Sequence, residues 1–395
     1  MKKQISVTTG AFFLIIFSII IAGCGEQEQP DQGAIDASAD SVELSVDLTV
    51  EVPLLKIGFV KQDHHSAVFV SALRGEQMKE LYGIYLEPLG ESYYALVENG
   101  RKIAEIEFVQ SQGAINVPNN MIAGLFDIGF GGVIPFAASA DQGSGIKIIS
   151  PLHSRGDMLV VSIDNTAVSD WDSFIDWVNE SDEPIIIGYK SPKAVALLIF
   201  ETALTEVGIP WSMQGNPEPD SKVLLFNAQG QPNLNPALQN ETIDAYVSNN
   251  PACALAEHNG IGKCVAELSD LPPGNFRNHP CCAIAGTETA VVEKPIEIAA
   301  SLRLFAAATD YINSNPDDAA AAAAEWIGNP LEVEIISMAT SGYNMEVSLD
   351  WLDNMVAILD NIRNLGAFTG PLAEKNDEVN ASFLYDFSLM PENLR

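Results

Sequence analysis

Residues 54–73 read LLKIGFVKQDHHSAVFVSAL, and their reading decides the fold. Leu54 to Val60 is a nearly continuous apolar run that stops at Lys61-Gln62-Asp63, as a strand buried on both faces does. From Ser66 to Tyr82 the apolar spacing turns helical. A strand that hands over directly to a helix is the repeating unit of an α/β lobe. In open sheets of this kind ligands gather at the carboxyl ends of the strands. Asp63, His64, His65 and Ser66 stand at such an end, and two of the chain's five histidines are adjacent there. One of them is expected to face a ligand and the other to pack or point outward; the residues do not say which.

Working outward, IYLEPL (84–89), EIEFVQ (105–110), DIGFGG (127–132), IKIISPL (146–152) and DMLVVSI (157–163) read as further strands, with a helix expected over 91–103 and a short one within 114–126. A second series follows: a helix at 171–180, a strand at 184–190, a long helix at 191–209, a strand at 222–227, a short helix at 236–243 and a strand at 244–249. Ser191 is its expected cap, with Pro192 at the first helical position. From Pro295 the chain is helical, including the alanine run 319–324, a strong helix former. Two α/β series and a helical tail predict two lobes around a cleft, with the chain crossing twice and the tail returning to lobe 1. The expected boundaries are 54–157 for lobe 1, 158–282 for lobe 2 and 283–395 for the return and tail.

The N-terminus carries a different message. Met1-Lys2-Lys3 is basic, Ala11 to Ala22 is apolar apart from Ser18, and Ile21-Ala22-Gly23-Cys24 ends the run. That is too short for a usual membrane-spanning helix and fits a signal segment, 1–23. Small residues before a cysteine resemble the site where prokaryotic lipoproteins are cleaved and acylated, so Cys24 is the expected lipid anchor. Residues 24–53, acidic and poor in apolar patterning, read as a flexible tether. The chain has 395 residues and a formal net charge of −33. Removing 1–23, whose only charged side chains are Lys2 and Lys3, makes it −35. Such acidity argues against a nucleic-acid partner, because phosphates would be repelled.

Several groups fall where a cleft should be. Gly131, Gly132 and Val133 follow a strand, and glycine there lets backbone N–H groups approach a ligand. His153 and Arg155 lie where lobe 1 hands over to lobe 2, and Arg155 offers a bidentate fork to a carboxylate or sulfonate. Ser191, Pro192 and Lys193 open a helix, whose N-terminus favours anions. Tyr246 and Asn249 end a second-lobe strand opposite the histidines. Cys253, Cys264, Cys281 and Cys282, in an exported chain, are candidates for two disulfides of undetermined pairing, with cross-pairing easier than a strained bond between neighbours. Together with His258 and His279 they match no standard zinc spacing, so no metal site is assigned. No Gly-x-Ser-x-Gly, P-loop or His-Glu-x-x-His motif is present.

In order, LLKIGFVKQDHHSAVFVSAL, LFDIGFGGVIPFAASADQGSGIKIISPLHSRGDMLVV (125–161), IIIGYKSPKAVALLIFETALTEVGI (185–209) and DAYVSNNPACALAE (244–257) resemble the substrate-binding proteins of ABC importers for nitrate, taurine and aliphatic sulfonates. The resemblance spans roughly residues 54–330. It implies a bilobal type II periplasmic-binding fold, a non-enzymatic role, no cofactor, and capture of a small organic anion by hinge closure. It also implies an extracytoplasmic, membrane-anchored monomer that meets a permease and its ATPase. Two features depart from the family: GYKSPKAV is poorer in glycine than the usual second-lobe turn, and NHPCCAIAG (278–286) is not general to it. The alternatives left open are a neutral heteroaromatic ligand such as a thiamine pyrimidine precursor, or an extracytoplasmic enzyme or metal-binding protein using His64/His65 or the cysteine cluster.

Overall fold

A computed structural model describes residues 46–395, the side chains of residues 377 and 379 excepted. The signal segment, Cys24 and most of the acidic tether lie outside the described residues. Fourteen strands occur among those described: β1 (Leu54–Phe59), β2 (Ile84–Gly90), β3 (Tyr93–Glu98), β4 (Arg101–Gln110), β5 (Ile128–Gly132), β6 (Ile146–Arg155), β7 (Asp157–Ser162), β8 (Ile185–Tyr189), β9 (Trp211–Met213), β10 (Val223–Asn227), β11 (Ala245–Asn249), β12 (Gly262–Glu267), β13 (Pro280–Thr287) and β14 (Ser341–Tyr343). They make two sheets, ordered β14-β6-β13-β5-β1-β4-β3-β2 and β12-β7-β11-β8-β10-β9. Each sheet anchors one lobe. The chain passes from lobe 1 to lobe 2 between β6 and β7, and returns between β12 and β13.

Lobe 1 has a mixed sheet. β1 pairs in parallel with β4 and β5, while β13 runs antiparallel to both β5 and β6. Leu55 and Ile57 of β1 are fully buried, as the apolar run requires. The residues following β1 form one helix over Ser66–Leu73 and a second over Gly75–Tyr82, parted at Arg74. Phe69 stacks on Trp326 with ring centroids 5.5 Å apart. Trp326 belongs to the alanine-rich helix Pro316–Ile327, whose Ala319, Ala320, Ala322 and Ala323 are all buried. Small side chains there let that helix lie close against its neighbour.

The expected helix at 91–103 is instead the hairpin β3–β4. Its turn is Asn99-Gly100, both with positive φ (50° and 76°), which is the two-residue turn whose twist matches paired strands. The antiparallel register Glu98↔Arg101 brackets it. Helical spacing at 91–103 lost to this turn chemistry. The expected long helix at 191–209 begins later, at Val195, with Ala194 before it, so residues 191–193 form a turn. β12 and the helix Ala252–His258 had not been read from the sequence.

The tail packs back on lobe 1. Helix Leu349–Asn364 buries Trp351, Met355, Ile358, Leu359 and Ile362. The Asp141 carboxylate then accepts from the backbone N–H groups of Thr369, Gly370 and Leu372 at 2.8–2.9 Å. A buried carboxylate with three such donors is well satisfied and fixes the returning chain.

Candidate functional site

The turn after β1 separates the two histidines. His65 closes the turn: its Nδ1 accepts from Val60 N–H at 2.9 Å, its Nε2 lies 3.3 Å from the Gln62 amide, and its ring packs 5.5 Å from Phe130. His64 turns the other way, towards the chain crossings. Its Nδ1 stands 3.6 Å from Cys281 Sγ and 3.9 Å from Cys282 Sγ, and its ring lies 3.7 Å from that of His153. The two sulfurs are 3.9 Å apart. All four residues are buried, and one donor atom from each falls within 4.8 Å of the others.

Local structure explains this meeting. His153 lies on β6 and Cys282 on β13, and the antiparallel register pairs them directly. Neighbouring strand residues normally point to opposite faces. Register shifts on either side of Cys282 break that alternation and bring both sulfurs to one side. Gly156, immediately past β6, lies against the group. With φ +81°, it has a backbone suited to glycine, and a Cβ there would stand 2.8 Å from His64 Nε2 and 2.7 Å from Ser341 Oγ.

Asp63 backs the cluster. It is fully buried, Ser337 Oγ donates to its Oδ2, and Tyr343 OH donates to its backbone carbonyl at 3.1 Å. Its Oδ1 has no partner and faces His64 Nε2, also without one, at 4.0 Å. Burial, and then the nearby Asp63 charge, push the Glu334 carboxyl up to about 8, so it holds its proton at neutral pH.

The electrostatics divide the cluster. Burial, then the neighbouring His64 charge, pull His153 down to about 4. Burial also works against a charged His64, yet the Cys282 sulfur and Asp63 raise it above its ordinary value. The Cys281 hydrogen bond, with the nearness of His153 and His64, holds the Cys282 thiol well below the usual range, while Cys281 is pushed up. Both ring nitrogens of His153 are buried without a hydrogen-bond partner. An open cavity of about 340 Å³ is lined by His153, Ser154, Ser341, Tyr343 and Trp351 among others, and so adjoins the cluster at His153.

Lobe 2 closes on this region through the turn after β11. Asn249 Nδ2 lies 3.5 Å from Gln62 Oε1, and Asn250 Nδ2 donates to Thr340 Oγ1 at 2.9 Å. Lys190 donates to Asn249 Oδ1. Gln62, Lys190 and Asn250 had escaped the sequence reading. Lys190 directly follows β8, and that position at a strand's carboxyl end is the available signal.

Other expected site residues stand elsewhere. Ser66 Oγ donates to the Asp63 carbonyl at 2.5 Å and begins a helix. Gly131 and Gly132 face their own lobe, where a Cβ would meet Phe136 and Pro135; Val133 is fully buried. Arg155 donates to Glu267 at 2.6 Å. Ser191 Oγ accepts from the Lys193 N–H at 3.3 Å, with Pro192 and Lys193 exposed. Tyr246 is buried in the lobe 2 core, its hydroxyl on Asn235 and the Ala252 carbonyl, rather than at the cleft.

The disulfide expectation is corrected. Cys253, Cys264, Cys281 and Cys282 are all free. Cys253 sits in the lobe 2 core and donates to the Ser248 carbonyl at 3.3 Å, whereas Cys281 and Cys282 belong to the lobe 1 sheet. The sequence cluster of cysteines with His258 and His279 is also split: His258 is exposed, and His279 pairs with Asp157 at 2.9 Å. No metal site had been assigned from spacing, yet the fold assembles a different donor set from residues 64, 153, 281 and 282.

Two lobes on two mixed sheets, joined by paired crossings, make a periplasmic-binding-protein fold. Solved structures with it include a ligand-binding component of an ABC-type import system from Staphylococcus aureus with zinc bound (TM-score 0.64, 15% identity, 85% of this chain and 97% of that one). Others are the alkanesulfonate-binding protein SsuA from Xanthomonas axonopodis pv. citri bound to MOPS (0.59, 13%, 85% and 99%) and the periplasmic nitrate-binding protein NrtA from Synechocystis PCC 6803 (0.59, 13%, 86% and 87%). Over residues 49–328 the chain matches the NMT1-like family, and it belongs to that family. An uncharacterized protein of Methanocaldococcus jannaschii is 32% identical over 109 residues, 27% of this chain and 75% of that protein. No helix among the described residues is long and apolar enough to cross a membrane.

Proposed function

We propose that this chain is the solute-binding component of an ABC importer, anchored outside the cytoplasm through an acylated Cys24 and acting as a monomer. Lobe 2 closes on lobe 1 about the two crossings, traps a small solute, and presents the closed form to a permease and its ATPase. A ligand that contacts both lobes stabilises closure through its differential affinity for that state. No covalent chemistry is required, and the similar structures named above are binding proteins rather than enzymes. The observation that carries the reading is the interlobe meeting of Asn249 and Gln62, with the Lys190 ammonium on the Asn249 amide and His64 in the same turn as Gln62.

That arrangement suits a small organic anion of the sulfonate or taurine type, or nitrate. Lys190 supplies charge beside the Asn249 and Gln62 amides, whose mutual contact a ligand between the lobes would replace, and Arg155 is paired with Glu267. Alkanesulfonate and nitrate binding by two proteins of the same fold supports this class. Thermal-shift measurements with MOPS, taurine, nitrate and a pyrimidine test it directly. At least one anion should raise the melting temperature, and Lys190→Gln should abolish that rise while leaving the unliganded melting temperature within a few degrees. A rise with the pyrimidine alone would move the ligand to the neutral heteroaromatic class. No rise with any of the four would count against import of either class.

A further inference from the structure

The four residues His64, His153, Cys281 and Cys282 have a geometry that hydrogen bonding alone leaves incomplete. His64 turns its Nδ1 to the sulfurs, while both imidazole nitrogens of His153 are buried without a partner. Groups so placed ordinarily have one. Tetrahedral zinc, with bonds of about 2.3 Å to sulfur and about 2.0–2.1 Å to nitrogen, sets sulfur–sulfur edges near 3.8 Å and nitrogen–sulfur edges near 3.6 Å. Here the sulfur–sulfur edge is 3.9 Å, and the His64 Nδ1 edges are 3.6 and 3.9 Å. The strand irregularity at Cys282 is what brings two consecutive cysteines to one centre.

We propose that His64, His153, Cys281 and Cys282 bind one thiophilic divalent cation of the zinc class at the base of the interlobe hinge. Two thiolates and two neutral imidazoles around a divalent ion form a set with no net charge. That matters because all four residues are buried, and an uncompensated charge there is costly. A monovalent ion such as Cu⁺ would leave one negative charge in the same volume. On binding, the thiol protons leave to solvent and no bond is oxidised or reduced. Asp63 stands behind His64 as carboxylates stand behind metal-bound histidines. All four donors come from lobe 1 and its crossing strands, so the site does not rest on which solute the lobes close upon.

The test uses the full chain, purified reduced in detergent and stripped with a chelator. Cobalt(II) is titrated as a spectroscopic probe, followed by zinc and, under anaerobic conditions, Cu⁺. We expect one cobalt per chain, a thiolate-to-cobalt charge-transfer band with intense tetrahedral d–d absorption, and full displacement by zinc. Outer-shell partners alone change metal affinity by about 10–100-fold, so Asp63→Asn should weaken binding within that range. The double variant Cys281→Ser/Cys282→Ser should lose the band, while Cys253→Ser/Cys264→Ser should keep it. If the first double variant fails to fold, the unmodified chain still decides the matter. Zinc should slow alkylation of Cys281 and Cys282, mapped by mass spectrometry, and leave Cys264 unchanged. A cobalt spectrum without sulfur charge transfer, zinc protection of Cys253 or Cys264 instead, or uptake of Cu⁺ without zinc would each overturn the proposal.

Discussion

Two buried aspartate–histidine pairs lie near the crossings, and they differ in one respect. Asp157 and His279 meet at 2.9 Å, and the other His279 nitrogen lies 2.9 Å from the Phe276 carbonyl. Burial opposes the Asp157 charge, but the His279 hydrogen bond holds its carboxyl below the ordinary value. Asp63 and His64 are just as buried, yet they stand 4.0 Å apart with one atom of each left unpartnered. The first pair is finished: Asp157 opens β7 and His279 precedes β13, so it rivets the outgoing strand to the returning one. The second pair has valence to spare, and the other nitrogen of the same His64 ring, Nδ1, faces two thiols. Residue type and burial do not separate a structural pair from a binding one; completeness of hydrogen bonding does.

The largest effect should come from breaking the finished pair. His279→Ala leaves the Asp157 charge buried without its hydrogen-bond partner, a change that costs about 3–5 kcal/mol. Urea unfolding measures it, and a loss below about 1 kcal/mol would erase the distinction drawn here.

A buried carboxyl with no imidazole supplies the next term. Burial raises Glu201 from 4.5 to about 7. The native chain therefore holds that proton to higher pH than the unfolded chain does. Its contribution to stability is full below about 4.5 and falls as pH rises through about 7. Glu201→Gln should flatten that part of the pH–stability profile, a difference on the order of 3 kcal/mol above the window. An unchanged slope between wild type and variant would show that burial alone does not shift this group.

The smallest stability effect should belong to the open pair. His64→Gln removes a ring whose nitrogens are not fully used, and we expect a loss of about 1 kcal/mol or less in urea. The same variant should lose the cobalt charge-transfer spectrum or retain it only weakly. A loss as large as that of His279→Ala would make His64 another structural residue.

Much of the architecture was legible because it is written in local patterns. The apolar run at 54–60, the strands β2, β4 to β8, β10 and β11, and the alanine-rich helix follow from burial and propensity, and the order of short motifs carried the family; β3, β9, β12, β13 and β14 do not stand out in the same way. The helix expected over 91–103 failed because Asn99-Gly100 outweighed a helical spacing, and that signal was present to be read. The donor set was not legible in the same way. His64, His153 and Cys281–Cys282 are brought together by pairing of the two crossing strands, a long-range event that neither spacing nor composition reports. The neighbourhood of Cys253 and Cys264 in sequence suggested disulfides, whereas the strand register sends the two pairs of cysteines to different cores. The role of His65 was open at the level of residues and was decided by the Val60 N–H that its ring accepts.

The adjacency of the two crossings also describes how the molecule is assembled as a pedigree of parts. The Arg155 N–H donates to the His279 carbonyl at 3.2 Å, so lobe 2 is spliced into lobe 1 at two points one hydrogen bond apart. Val46 and Leu394, near the two ends of the described chain, both pack on the lobe 1 core. Lobe 2 is thus an insertion within a continuous host, and all four members of the His–Cys cluster belong to the host. A lineage that exchanged its insert would change lobe 2's side of the cleft and inherit the cluster unchanged.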